Sequence, residues 1–148
     1  MPSMTFAALI NEIRKETENE SQEKITDHAS IEIDNVMFTL INRQESAPGT
    51  IAYFCDFGAL PLAPDREESL QRLLEVNMMI CGNGSPTFAL NPENGNAVLI
   101  GESNLEHTDG ASILNAFIKY AEQANQWRGN YFLSDADART NSVPEAIN

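Results

Sequence analysis

The spacing of apolar residues along the chain predicts eight secondary-structure elements. In the first segment, Phe6, Leu9, Ile10 and Ile13 recur at the i, i+3, i+4, i+7 spacing of a helix with one apolar stripe. Ser3 precedes them at a position where its hydroxyl can cap the helix. We therefore predict a first helix that is apolar on one face.

From Ile31 the apolar period changes to two, which is typical of β-strands. The pattern continues past Asp34 and Asn35 and predicts two short strands joined at these residues. The second strand is apolar on both faces, with Val36, Phe38 and Leu40 on one and Met37, Thr39 and Ile41 on the other. Residues 50–57 are rich in β-branched and aromatic side chains and predict a third strand.

The pattern of a second helix starts after two prolines, where Asp65 and Glu68 have the spacing of a capping box. Its apolar residues are Leu70, Leu73, Leu74, Val76, Met78, Met79 and Ile80. They occupy more than one side, so the helix has to be covered from two sides. We expect one side to cover the sheet. We expect residues from the set Leu70, Leu74, Met78 and Cys81 to meet a second copy across a two-fold axis. The alternative is a monomer whose third helix covers that side.

The second half of the chain predicts a hairpin and a last helix. Strands at Thr87–Leu90 and Ala97–Gly101 flank an Asn94-Gly95 turn signal. Asp109 can cap the last helix, and Gly129 is its expected end. The apolar residues of this helix include Ile113, Leu114, Phe117, Ile118 and Ala121. We therefore predict an α+β fold in the order α-β-β-β-α-β-β-α, with a twisted antiparallel sheet and three helices. Residues 1–132 are expected to form one domain and 133–148 a flexible polar tail.

Composition fits one soluble globular domain, since the 148 residues are 42% hydrophobic and 21% charged. The formal net charge of -13 argues against nucleic acid as a partner, because nucleic-acid binding depends on Lys and Arg neutralising phosphates. It disfavours anionic membranes for the same reason. No apolar stretch is long enough to cross a bilayer, and we expect the protein to be cytoplasmic.

The sequence contains no strong signature of catalysis or of metal binding. His28 and His107 fall in polar connecting segments without ligand spacing around them, and Cys55 and Cys81 are interpreted as buried thiols. Asp56-Phe57-Gly58 matches the Asp-Phe-Gly motif of protein kinases, but no glycine-rich phosphate loop precedes it. We therefore expect no enzyme activity, no cofactor and no metal site.

Two stretches carry a resemblance to a known family. They are Asp56-Phe57-Gly58-Ala59-Leu60-Pro61 and Leu70-Gln71-Arg72-Leu73-Leu74-Glu75-Val76-Asn77. The chain resembles the class I type III secretion chaperones, also called the Tir-chaperone or CesT-like family. Members show Gly-x-Leu-Pro after the third strand and Leu-Leu-x-x-Asn in the second helix, then a strand pair and a final amphipathic helix. The resemblance covers roughly residues 4–127. It is weakest at residues 16–30, which lack the expected small-residue and glycine pattern.

This resemblance implies a homodimer in the bacterial cytoplasm that binds the N-terminal region of a secreted effector in extended form, without ATP. It also implies that the effector is kept soluble and secretion-competent, and that the secretion apparatus is a further partner. The candidate effector-binding residues are Phe6, Leu9, Ile10 and Ile13 of the first helix and Phe38 and Leu40 of the second strand. Within the stripe, Phe6 and Ile10 are favoured for partner contact, while the competing interpretation packs all four residues on the sheet. The alternative function is a small-ligand-binding or enzyme-subunit domain, and a structural adaptor is a third.

Overall fold

The computed structural model of the chain describes residues 5–17, 27–43, 48–82 and 85–133. Its elements are α1 (Phe6–Thr17), β1 (His28–Ile33), β2 (Val36–Asn42), β3 (Thr50–Gly58), α2 (Asp65–Ile80), β4 (Thr87–Leu90), β5 (Ala97–Asn104) and α3 (Gly110–Asn130). This order confirms the predicted α+β arrangement. The predicted tail beyond residue 133 and the Ser3 cap lie outside the described residues.

One antiparallel sheet of five strands, in the order β1-β2-β3-β5-β4, forms the centre of the fold. Ile33 pairs with Val36 across the first hairpin, with Asp34 and Asn35 at φ 51° and 66°. Positive φ at both central residues is the signature of a type I′ turn, whose twist matches that of the strands. The order places β1 and β4 at the two edges of the sheet.

The core lies between one face of the sheet and the helices. α3 lies across β1, β2 and β3, α1 packs against α3 and β1, and α2 lies against β4. The rings of Phe38 and Phe117 stack at 4.3 Å, and Tyr53 packs against Phe117 at 5.3 Å. Burial raises the pKa of Tyr53 to about 12. Within the described part of the chain, no helix is long and apolar enough to cross a membrane.

The helix starts differ from the predictions in two places. Thr5 caps α1, since its hydroxyl oxygen accepts a hydrogen bond from the backbone N–H of Ala8 at 3.1 Å. The capping box predicted at the start of α2 is wrong. Pro64 occupies the cap position without a side-chain hydrogen bond, and Asp65 is already helical. The acidic residues of this first turn instead lie at the positive end of the helix dipole, where negative charge stabilises the helix.

The cap of α3 is confirmed, and its predicted end is corrected. The Asp109 carboxylate accepts the backbone N–H of Ser112 at 2.8 Å, which holds the pKa of this carboxyl below its usual range. α3 continues past Gly129 to Asn130, and Tyr131 follows in the left-handed conformation. The position of the cap therefore follows from local sequence, whereas the end of the helix does not.

The Asp56-Phe57-Gly58 segment has a structural role. The β3–β5 register shifts between Asp56 and Gly58, and Gly58 has φ 113°, which favours glycine. Arg128 of α3 donates to the main-chain carbonyls of Phe57 at 2.8 Å and Asp56 at 3.0 Å. A third bond from the same guanidinium reaches the carbonyl of Asn35 at 2.9 Å. Arg128 thus ties the irregular end of β3 and the β1–β2 turn to α3.

Candidate functional site

The predicted apolar stripe of α1 is buried within the chain. Phe6 is 5% exposed, and Leu9, Ile10 and Ile13 are fully buried. Because α1 packs on α3 and β1, its stripe faces the core. The burial favours core packing for all four residues, including Phe6 and Ile10, which the sequence had favoured for partner contact.

The two candidate residues on β2 also face the core. Phe38 and Leu40 are fully buried, and the Phe38 ring lies on Phe117 of α3. Alternate residues of a strand point to opposite faces, and both faces of β2 are apolar, so periodicity alone could not identify the inner one. The face of β2 that a partner can reach is the opposite one, where Met37 is 42% exposed and Ile41 is half-buried.

Helix α2 presents an apolar stripe that is largely exposed in the described part of the chain. Leu74 is 69% exposed, Met78 is 79% exposed, Cys81 at the end of the helix is exposed, and Leu70 is partly buried. The spacing of these residues places them within about 80° of the helix circumference, at 100° per residue. We call Leu70, Leu74, Met78 and Cys81 the α2 surface. The buried residues Leu73 and Val76 lie on the other side of the helix.

The exposure of Cys81 corrects the prediction of two buried thiols. Cys55, on the inner face of β3, is buried, and this burial raises the pKa of its thiol. Cys81 follows the last residue of α2 and is exposed to solvent. Both cysteines are free.

The α2 surface continues across a groove onto strand β4. The groove has a volume of about 310 Å³. It is lined by Leu70, Leu73, Leu74, Asn77, Phe88, Ala89 and Leu90. Two of the lining residues are joined by hydrogen bonds, since the Asn77 side chain accepts the Phe88 N–H at 2.7 Å and donates to the Phe88 carbonyl at 3.1 Å. Contiguous exposed apolar surface of this kind is typical of sites that contact other proteins.

A second open surface lies on the face of the sheet opposite the core. Cross-strand pairing places Thr39, Phe54, Ile100 and Thr87 in one row across β2, β3, β5 and β4. We call this row, together with Met37, the outer sheet face. Phe54 and Ile100 at its centre are half-buried. A groove of about 460 Å³ runs beside them, bordered by the ion pair between Arg43 and Glu102.

The edge strand β1 has backbone groups that point away from the sheet. A two-residue hairpin turn is closed by a hydrogen-bonded pair, which here is Ile33 and Val36. Hydrogen-bonded and non-bonded pairs alternate along the ladder, so the backbone groups of His28, Ser30 and Glu32 point away from β2. These side chains are also exposed. His28 thus begins a strand, and its predicted place in a connecting segment is corrected.

In the described parts of the chain, no three or more His, Cys, Asp or Glu side chains cluster so as to hold a metal ion. The features that could act on another molecule are the α2 surface, the outer sheet face and the β1 edge. The dimer interface predicted at the α2 surface stays a prediction. Sequence reasoning missed the outer sheet face, although Met37, Thr39 and Ile41 had marked the second apolar side of β2.

Comparisons with known proteins place the chain among chaperones. The family model described as the Tir chaperone protein (CesT) family matches residues 8–128. No curated protein sequence matches. Among solved structures, the HopA1–SchA chaperone–effector complex aligns with a TM-score of 0.62 at 16% identity, over 84% of this chain and 93% of that chain.

Two further solved complexes each contain a chain whose structure aligns with this one. The ExoT–SpcS complex from Pseudomonas aeruginosa aligns with a TM-score of 0.56 at 16% identity, over 82% of this chain and 95% of that chain. The ExsC–ExsE complex aligns with a TM-score of 0.57 at 15% identity, over 86% and 97% of the two chains. At such identities the likeness shows a shared fold.

Proposed function

The chain belongs to the Tir chaperone protein (CesT) family, and we propose that it is a chaperone for an effector of a bacterial type III secretion system. It binds the N-terminal region of the effector in extended form in the cytoplasm, without ATP, and keeps it soluble and secretion-competent. The observation that carries the proposal is the family match over residues 8–128. HopA1–SchA, which shares the fold, is a chaperone–effector complex.

The β1 edge supports binding of an extended segment. His28 and Ser30 direct backbone groups outward, and an extended peptide pairs with such an edge through main-chain hydrogen bonds. Main-chain pairing is nearly independent of sequence and requires the backbone of the segment to be extended. A partner that adds as a strand therefore remains in the extended state that the proposal requires.

The outer sheet face supports the shielding of apolar effector side chains. Phe54 and Ile100 are adjacent across β3 and β5, and Met37 on β2 adds exposed apolar area. Side chains of a bound segment that pack here are removed from water, which opposes aggregation of the effector. The net charge of -13 favours approach of a segment that carries basic residues.

The α2 surface supports a homodimer. A two-fold interface uses the same patch on both copies, and a stripe along one helix can pack against its own copy. The alternative, in which the third helix covers this side, is disfavoured because α3 lies across β1, β2 and β3, and α2 lies against β4. The adjoining groove favours a small ligand less than a second protein, since its lining continues onto exposed Leu74 and Leu90.

The test begins with copurification from the native host, to identify an effector bound through its N-terminal region. The affinity of an N-terminal fragment of that effector is then measured for the wild type and for the Ser30→Pro variant. Proline has no N–H, and its ring occupies the outer side of β1, so strand addition is blocked while pairing with β2 is kept. We expect at least about a tenfold loss of affinity, equivalent to about 1.4 kcal/mol.

Ser30→Ala is the matched control, because it changes the side chain and leaves the main-chain N–H in place. It should bind the fragment as tightly as the wild type. A folded Ser30→Pro variant with unchanged affinity would show that the effector does not add as a strand at β1. Recovery of no secreted protein from a host that runs its secretion system would contradict the chaperone function itself.

A further inference from the structure

The two edges of the sheet differ in the backbone groups that they offer. Among the described residues, β1 and β4 are the edge strands, and β4 has four residues. Because the Phe88 N–H and carbonyl are bonded to Asn77, these groups face away from β5. Since hydrogen-bonded and non-bonded pairs alternate along the ladder, Leu90 is the other residue of β4 whose backbone N–H and carbonyl point away from β5. An added strand would need both positions.

The Asn77 side chain occupies the place that a neighbouring strand would take. Its carboxamide has one acceptor and one donor side, as a peptide group does, and it bonds both polar groups of Phe88 at 2.7 and 3.1 Å. Burial of Leu73 and Val76 fixes the position of α2, which holds Asn77 against β4. Edge strands that are short and covered are poor templates for another chain.

We propose that Asn77 closes the β4 edge against strand addition and so leaves β1 as the edge that accepts a partner strand. For the identity of that partner, the inference rests on the proposed function. Because the backbone groups of Phe88 are bonded to Asn77, only Leu90 of β4 still directs its backbone groups away from the sheet. In β1, His28 and Ser30 both do so. A single remaining position cannot support a ladder of paired residues.

The proposal gives a physical reason for the Leu-Leu-x-x-Asn stretch of α2. Leu73 is buried and anchors the helix, and Leu74 is 69% exposed on the α2 surface. Asn77, one turn after Leu73, reaches the β4 backbone. On one helix, Leu73 therefore belongs to the core, Leu74 to the exposed α2 surface and Asn77 to the β4 edge.

The experiment uses the purified full chain alone, so a failure of effector binding does not affect it. Asn77→Ser shortens the side chain so that it no longer reaches Phe88, and it adds no apolar group. Asn77→Leu keeps the size of the side chain and removes both hydrogen bonds. Asn115→Leu, on an exposed position of α3, is the control for an added apolar side chain.

The readouts are mass by analytical ultracentrifugation and hydrogen exchange at the Phe88 amide, each over a range of protein concentrations. In the Asn77→Ser variant at low protein concentration, we expect the Phe88 amide to exchange about tenfold faster than in the wild type. At high concentration the mass should rise above that of the wild type, and the Phe88 amide should become protected again, because β4 has paired with another copy. Asn115→Leu should match the wild type in both readouts.

Two results would overturn the proposal. One is fast Phe88 exchange at every concentration with the mass of the wild type, which would show that an opened β4 edge does not accept a strand. The other is Phe88 exchange unchanged by either substitution at Asn77, which would show that Asn77 does not protect the edge. If Asn77→Leu fails to fold, Asn77→Ser decides between the outcomes.

Discussion

Truncation of the α2 surface should dissociate the proposed dimer without unfolding the chain. Leu74 and Met78 are 69% and 79% exposed in the single chain, so an α2–α2 contact would bury most of their area. Full burial of a Leu or Met side chain contributes about 2 kcal/mol. The double substitution Leu74→Ala, Met78→Ala removes four such side chains per dimer, or about 5 kcal/mol once the retained Cβ atoms are allowed for. This corresponds to a dissociation constant raised by three to four orders of magnitude, at about 1.4 kcal/mol per tenfold.

Sedimentation equilibrium across a wide concentration range measures this change directly. The wild type should have twice the 16.3 kDa chain mass, and the double variant should approach 16.3 kDa at micromolar concentration. Ile118→Ala is the control, since Ile118 is an exposed apolar residue of α3 outside the α2 surface. It should leave the dimer intact.

The result that would refute the reasoning is a folded double variant with the same dimer mass as the wild type at every concentration. A concentration-independent monomer in the wild type would refute the dimer itself. Loss of the native circular dichroism spectrum in the double variant would show that these side chains hold the fold together. That outcome is not expected, because both are largely exposed in the single chain.

Three further predictions concern the fold. Phe6→Asp combined with Ile10→Asp should unfold the chain at room temperature, since each places a charge in the core; cooperative thermal unfolding close to that of the wild type would contradict this. Gly101→Val should lower the free energy of unfolding in urea by at least about 2 kcal/mol, because its Cβ would collide with the Tyr53 ring, whereas Gly129→Ala, with open space around it in α3, should lower it less. Asp109→Ala should remove a stabilising contribution that is present above the unfolded-state pKa and lost as pH falls through the lowered folded-state pKa. Asp109→Asn should keep the cap and lose this pH dependence, as followed by urea unfolding at several pH values.

The order of elements and several of their boundaries were determined by the sequence alone, because they depend on local interactions. The type I′ turn at Asp34 and Asn35 needs residues that tolerate positive φ, and both do. The Asp109 cap needs one carboxylate near the free N–H groups of a helix start. The exposed stripe through Leu74 and Met78 was predicted because a helix that is apolar on two sides exceeds what one sheet can cover.

Which apolar face is inside was decided by the tertiary structure. Helices α1 and α3 pack on one side of the sheet. The α1 stripe with Phe6 and Ile10, and Phe38 of β2, are therefore part of the core. A period of two or of 3.6 residues shows that a face is apolar, but it does not show what covers that face. Strand order had the same effect, since β4 forms an edge of the sheet only because β5 lies between β3 and β4. The bonds from Asn77 to Phe88 and from Arg128 to the end of β3 likewise join groups that only the folded chain brings together.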